Sequence, residues 1–298
     1  MQRDKPKFKY GLRMNIQNNL SDWTDFVPTV AKPVVYLYKY RHLIQEQWKK
    51  FQIAASLGKP NIAITGRAGV GKSVLASYYH GEANGLRWYK PDSSQDVEIK
   101  PITVGDWTKI VHVIPGQQSK ERSVSLSQAL HQNVGLEGII HVVDWGYTAI
   151  RDEAVRQQMV SQGTETIEDF RALNLKLELE DLKLVLHAID LSISSGGGPK
   201  WLIIAVNKID LYKDAMFAAR SYYCPEFESE FTDELNSLLK AVGKHNLNIS
   251  CIPVCPSPEG FRWNKESINT QIDNIDEHKQ YLRNFVDKVA LIQKSIDK

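Results

Sequence analysis

Residues 61–73 read NIAITGRAGVGKS, and the rest of the chain is most easily understood from this stretch. Residues 61–65 are short, apolar and partly β-branched, the composition of a buried parallel strand. Gly66, Arg67, Ala68, Gly69, Val70, Gly71, Lys72 and Ser73 then satisfy GxxxxGK[ST] at every fixed position. Glycines let successive backbone N–H groups curl around an anion, and a helix beginning at Lys72 directs its positive end at the same point. Lys72 adds a mobile cation for the outer phosphates, while the Ser73 hydroxyl is placed to hold Mg²⁺. A chance glycine-rich turn is the competing reading, but it does not require strand, loop and apolar helix (Val74, Leu75, Tyr78) in that order. The pattern points to a nucleoside triphosphate without choosing its base.

The 298 residues are enough for one large domain, or for one domain with an extension. An apolar fraction of 42% and a charged fraction of 24% are those of an ordinary globular protein. The 37 basic and 35 acidic residues leave a net charge of +2 with no long run of either sign, so no nucleic-acid footprint is evident. Arg3, Lys5, Lys7 and Lys9 form the one basic cluster, read as a solvated tail. No apolar run reaches membrane-spanning length, which predicts a chain without a transmembrane segment. Cys224, Cys251 and Cys255 are an odd number in a chain with no secretory apolar region, so a reducing, cytoplasmic location is expected.

Residues 1–57 form an N-terminal extension in which Leu37, Tyr40, Ile44, Trp48, Phe51 and Ala55 recur at helical spacing. That amphipathic helix either packs on the main domain or docks a partner. Beyond the first helix, residues 81–95 are polar and turn-rich, and 96–104 with 107–114 read as a β-hairpin. A helix is expected over 123–133, a buried strand over 138–144, and one long helical region over 148–193. Strands over 201–206 and 248–254 and helices over 227–242 and 267–296 complete the pattern. Strands alternating with helices predict an α/β fold with a mostly parallel six-stranded sheet, helices on both faces, and a ligand beyond the carboxyl ends of the strands. Residues 58–298 are assigned to this domain, with a helical insertion around 148–172.

Directly after the strand WLIIAV, Asn207, Lys208, Ile209 and Asp210 spell NKID. A phosphate loop followed at this distance by NKxD resembles the Ras-like small GTPases and their translation-factor-related cousins. The chemistry explains the motif. The Asp210 carboxylate accepts from the ring N–H and exocyclic amine of guanine, both of which adenine lacks at those positions. Asn207 can tie this loop to the phosphate loop, and the Lys208 stem can lie against the base.

The resemblance implies further roles. VHVIPGQQ at 111–118 is similar to the family's DxxGQ segment, in which Gly116 contacts the γ-phosphate and Gln117 orients the attacking water. Val113 stands where the family has a metal-associated aspartate, so Mg²⁺ falls more heavily on Ser73, the phosphates and a switch-loop hydroxyl, for which Ser94 or its neighbour Ser93 is the candidate. Asp144 matches an acid that in such proteins is more often structural than metal-binding. Where the family closes its base pocket with a Ser-Ala backbone N–H, this chain has CIPVCPSPEG; Pro256 has no N–H, leaving Cys255 or Ser257 as the donor. Arg151, Arg156 and Arg171 are candidates for an internal arginine finger. The implied activity is that of a GTP-binding switch hydrolysing GTP to GDP, with Gln117 and Lys72 catalytic and GTP, GDP and Mg²⁺ bound. A protein effector or regulator would meet it through the switch loops, the insertion or the N-terminal extension. The alternative is a pseudo-GTPase that holds nucleotide without turnover, which Val113 favours.

Overall fold

The computed structural model describes residues 61–80, 98–104, 107–114 and 135–296. The N-terminal extension, the loop carrying Ser93 and Ser94, the segment carrying Gly116 and Gln117 and the helix expected over 123–133 lie outside them. The elements in chain order are β1 (Ile62–Thr65), α1 (Lys72–His80), β2 (Glu98–Val104), β3 (Trp107–Val113), β4 (Gly138–Val143), α2 (Glu153–Ser161), α3 (Ile167–Ser194) and β5 (Trp201–Val206). Then follow α4 (Met216–Tyr223), α5 (Glu230–Val242), β6 (Asn248–Pro253), β7 (Phe261–Trp263), β8 (Glu266–Ile268) and α6 (Ile275–Ile296).

The fold is α/β with a mostly parallel sheet in the order β2-β3-β1-β4-β5-β6. The pairings β1 with β3, β1 with β4, β4 with β5 and β5 with β6 are parallel, and only the β2–β3 hairpin at one edge runs antiparallel. From β1 the chain runs to the edge strand β2, returns through β3 beside β1, then crosses over and moves the other way through β4, β5 and β6. The direction of winding therefore reverses beside β1, and a crevice opens there at the carboxyl ends of the strands.

Burial explains why these runs became central strands. All six residues of β5 and all six of β4 are buried, so neither strand alternates and both need helices on two sides. Each fully buried Leu, Ile or Val contributes roughly 1.5–3 kcal/mol relative to exposure. Gly138 begins β4 because a side chain there would collide with the indole of Trp201 across the pairing: a Cβ would stand 1.9 Å from the ring. One helical layer groups α3, α4 and α5; the other sets α6 against α1.

The helical region expected over 148–193 consists of two helices. Asp152 caps α2 by accepting from the N–H groups of Ala154 and Val155, and Thr166 with Asp169 forms a capping box that starts α3. Between them Gly163 adopts φ 98°, outside the helical range. Residues 148–152 are consequently loop, lying against the phosphate loop instead of inside a helix. The last helix likewise starts at Ile275, because residues expected to be its first turns form β8 and the loop after it. The β7–β8 hairpin, turning at Asn264 with φ 49°, and α4 were not expected.

Candidate functional site

The loop from Gly66 to Ser73 leaves the end of β1 and wraps into α1. Its conformation requires glycine at two positions in particular. Gly69 has φ 84°, and a Cβ there would lie 2.1 Å from the Ala149 carbonyl; Gly71 has φ 97°, and a Cβ would lie 2.5 Å from the Asn207 amide nitrogen. The neighbouring loops thus press on the outside of the turn, and only a bare backbone fits. The Ala149 N–H donates to the Gly69 carbonyl at 3.3 Å, closing the contact. Lys72 is buried, and its Nζ donates to the Arg67 carbonyl at 2.8 Å, across the mouth of the turn. The Arg67 guanidinium points the other way, donating to Asn174 Oδ1 on α3 at 2.7 Å.

The second cluster follows β5. Asn207 Nδ2 donates to the Val70 carbonyl at 2.7 Å, the tie between the two motifs that the sequence suggested. Lys208, at φ 60°, sends its Nζ to the Gly69 carbonyl at 3.0 Å, to Asp144 Oδ2 at 2.7 Å and to the Tyr147 carbonyl at 2.5 Å. The two residues directly after β5 therefore brace the phosphate loop through their side chains. Asp144 is fully buried and also accepts from the Thr148 hydroxyl at 2.9 Å, which makes it a structural counter-ion to Lys208.

Asp210 is 1% exposed, with Oδ1 accepting from the Cys255 thiol at 3.3 Å and Oδ2 accepting from the Glu259 N–H at 2.8 Å. Burial raises the Asp210 carboxyl above its ordinary range, and the Glu259 and Cys255 hydrogen bonds offset part of that rise. Cys255 meets Asp210 through its side chain, so its contribution here differs from the backbone donor the sequence suggested; burial, then the nearby Asp210, push its thiol well up. The loop after Cys255 is latched from α6, where His278 Nε2 donates to the Pro256 carbonyl at 2.7 Å. Burial lowers the His278 pKa, and the hydrogen bond to Pro256 offsets part of that fall.

Gly69, Gly71, Lys72 and Ser73 at one end and Asn207, Lys208 and Asp210 at the other line one cavity of about 970 Å³. Arg67 and Ala68 line it too, as do Ser257 and Glu259, with Arg151 and Arg156 from the β4–α2 loop and α2. Val70 is buried behind the turn, where its carbonyl holds Asn207. Arg171 is engaged elsewhere, with its guanidinium 4.2 Å from the Trp145 ring centroid and 4.7 Å from that of Tyr147. His141 is a satisfied core residue whose Nδ1 lies 2.9 Å from the Thr65 hydroxyl.

A triphosphate fits this donor set, since a tight turn of bare backbone meets a helix N-terminus and a buried lysine. For a divalent cation the fit is partial. Ser73 supplies a hydroxyl, Val113 presents a buried apolar side chain to the cavity, and no cluster of three His, Cys, Asp or Glu occurs among the described residues. A bound Mg²⁺ would depend on Ser73, phosphate oxygens and water.

The aromatic wall was not legible in the sequence. Tyr147 stacks on Tyr212 and meets Phe261 edge-on, while Phe170 stacks on Trp263 at 4.0 Å, whose indole N–H donates to the Thr164 carbonyl at 2.9 Å. These contacts bind the β7–β8 hairpin and the start of α3 to the cavity rim. The aromatic residues Phe261 and Trp263 around Arg262 were the available signal.

Sheet, crevice and anion cradle together define an α/β protein with a phosphate-loop cavity. No family model matches the chain, and no curated protein matches it. It is similar to the signal recognition particle receptor SRb in the SRb-GTP/SRX complex from Chaetomium thermophilum, at 13% identity over 66% of this chain and 94% of that one, with a TM-score of 0.40. The mammalian SRP receptor aligns at 17% identity over 65% of this chain and 90% of that one, TM-score 0.39. SRb-GDP from Chaetomium thermophilum aligns at 14% identity over 76% and 96%, TM-score 0.37. None of these likenesses assigns a role to a residue of this chain. Among the described residues no helix is long and apolar enough to cross a membrane.

Proposed function

We propose that this chain binds GTP and GDP and hydrolyses GTP to GDP and phosphate, acting as a nucleotide-dependent switch. The observation that carries the reading is the shared cavity: the Gly66–Ser73 turn and the Asp210 carboxylate line the same space and are cross-braced by Asn207 and Lys208. In the proposed complex the backbone N–H groups of residues 66–73 and the Lys72 ammonium hold the phosphates, and Asp210 accepts from the guanine edge. Gln117 orients a water for in-line attack on the γ-phosphorus, and Gly116 donates its N–H to a γ-oxygen. Mg²⁺, held by Ser73 and Ser94, would neutralise charge that develops on the phosphate oxygens. Loss of the γ-phosphate would release the loops around Ser94 and Gly116, and an effector or regulator reading those loops, α2 or the N-terminal extension would sense the change. A cytoplasmic setting belongs to the same proposal.

A second reading, a pseudo-GTPase, rests on Val113, 1% exposed at the end of β3 and lining the cavity. Titration calorimetry with GTP, GDP and ATP tests binding, and phosphate release compared among wild type, Gln117→Ala and Lys72→Ala tests turnover. Guanine preference with release dependent on Gln117 supports the first reading. Guanine preference without release supports the second. Equal affinity for ATP overturns both.

A further inference from the structure

A buried carboxyl that belongs to neither motif lies behind the site. Glu178 sits in the fourth turn of α3, 1% exposed, amid a run of leucines. Its Oε1 accepts from the Gly146 N–H at 3.0 Å and lies 3.4 Å from the Asp144 N–H, and its Oε2 accepts from the Tyr223 hydroxyl of α4. Asp144 and Gly146 bracket a tight turn in which Trp145 has φ 52° and Gly146 φ 81°. The same turn presents the Asp144 carboxylate and the Tyr147 carbonyl to Lys208, which in turn holds Gly69. An unbroken line of hydrogen bonds thus runs from α4 through Glu178 and the Asp144–Tyr147 turn to the phosphate loop.

We propose that Glu178 is a positioning residue for nucleotide binding, fixing the turn that aims Lys208 at the phosphate loop. The proposal rests on the nucleotide-binding reading of the cavity. A carboxylate would do this poorly: Glu178 and Asp144 are both buried and in contact, and two adjacent negative charges out of water repel each other strongly. Burial first, and then the Asp144 charge and hydrogen bond, raise Glu178 well above the usual carboxylate range. Burial and the Asp144 charge thus favour the neutral form of Glu178, beside the Asp144–Lys208 ion pair at 2.7 Å. The other titratable groups facing the two carboxyl groups are Tyr212, Tyr222 and Tyr223, all raised by burial, which leaves them neutral.

A protonated Glu178 makes a specific forecast about its amide mimic. Glu178→Gln keeps the acceptor for Gly146 and stays neutral at every pH, so its GTP affinity is expected within about threefold of wild type at neutral pH and flat to pH 9. Wild-type affinity is expected to fall as pH rises, because ionising Glu178 sets it against Asp144. Glu178→Ala removes the Gly146 and Tyr223 contacts together, and a loss of about tenfold or more is expected, the size of one or two buried hydrogen bonds. The experiment is fluorescent-GTP titration of the full chain and both variants from pH 6 to pH 9, with near-ultraviolet circular dichroism to verify packing. Wild-type binding with an unchanged Glu178→Ala affinity overturns the proposal, as does a Glu178→Gln profile that falls in parallel with wild type. If Glu178→Ala does not fold, the two pH profiles alone decide. Absence of wild-type binding at any pH would instead overturn the nucleotide-binding reading itself.

Discussion

The two ends of the cavity are built differently. At the phosphate end the decisive groups are backbone: Gly69 and Gly71 adopt positive φ with neighbouring loops 2.1 Å and 2.5 Å from where a Cβ would be. At the base end the decisive groups are side chains, with the Asp210 carboxylate set by a thiol and a single N–H, and the loop beyond it latched by His278. A backbone site tolerates no change of residue at its turns, whereas a side-chain site tolerates changes that keep the hydrogen-bond pattern. The first end should therefore fail abruptly on substitution and the second should shift its preference.

The largest effect is expected at the first end. Gly69→Ala combines an unfavourable φ with a collision against the Ala149 carbonyl, costing on the order of 3 kcal/mol of stability and abolishing triphosphate binding; denaturant unfolding and calorimetry measure both. At the second end Asp210→Asn keeps the shape but exchanges an acceptor for a donor. GTP affinity should drop about 100-fold, from the loss of charge-assisted hydrogen bonds, while xanthosine triphosphate, with an oxygen in place of the exocyclic amine, gains. A variant that lost all nucleotides equally would erase the contrast between the two ends.

A smaller effect sharpens the comparison at the cavity floor. Val113→Asp places a carboxylate at a position 1% exposed, so stability without metal should fall by about 1–3 kcal/mol. Added Mg²⁺ together with GTP should restore part of it, read as a rise in Tm that wild type does not match. Equal Mg²⁺ responses would mean that Val113 does not face the metal. The smallest effect concerns His278. Its folded pKa lies below the ordinary value, so the unfolded chain binds more protons, and stability is present above about pH 6.5 and is lost as pH falls through that region. His278→Gln, which can still donate to Pro256, should flatten this part of the stability curve.

Most of the scaffold was legible because its signals are local. The phosphate turn fits its pattern residue by residue, and β4 and β5, buried on both faces, appear in the sequence as runs that are apolar apart from His141. The Asn207 tie was legible because the motif's chemistry demands it. The break between α2 and α3 also had local signals, Asp152 and the Thr166–Asp169 box, but the apolar density of 167–194 masked them. Glu178 was not legible: among leucines at helical spacing nothing marks which carboxylate turns inward, because its partners come from Gly146 and Tyr223, 32 and 45 residues away. The β7–β8 hairpin escaped notice because three-residue strands carry too little periodicity, and its stability comes from Phe170 and Thr164 contacts far away in sequence.

The most direct measurement is titration calorimetry of the purified chain with GTP and with ATP, in Mg²⁺, against Lys72→Ala and Asp210→Asn. The cavity as built predicts that wild type takes GTP in clear preference to ATP, that Lys72→Ala weakens both, and that Asp210→Asn removes the preference for guanine. Wild-type binding that does not distinguish the two bases, or a preference that survives Asp210→Asn, would contradict it.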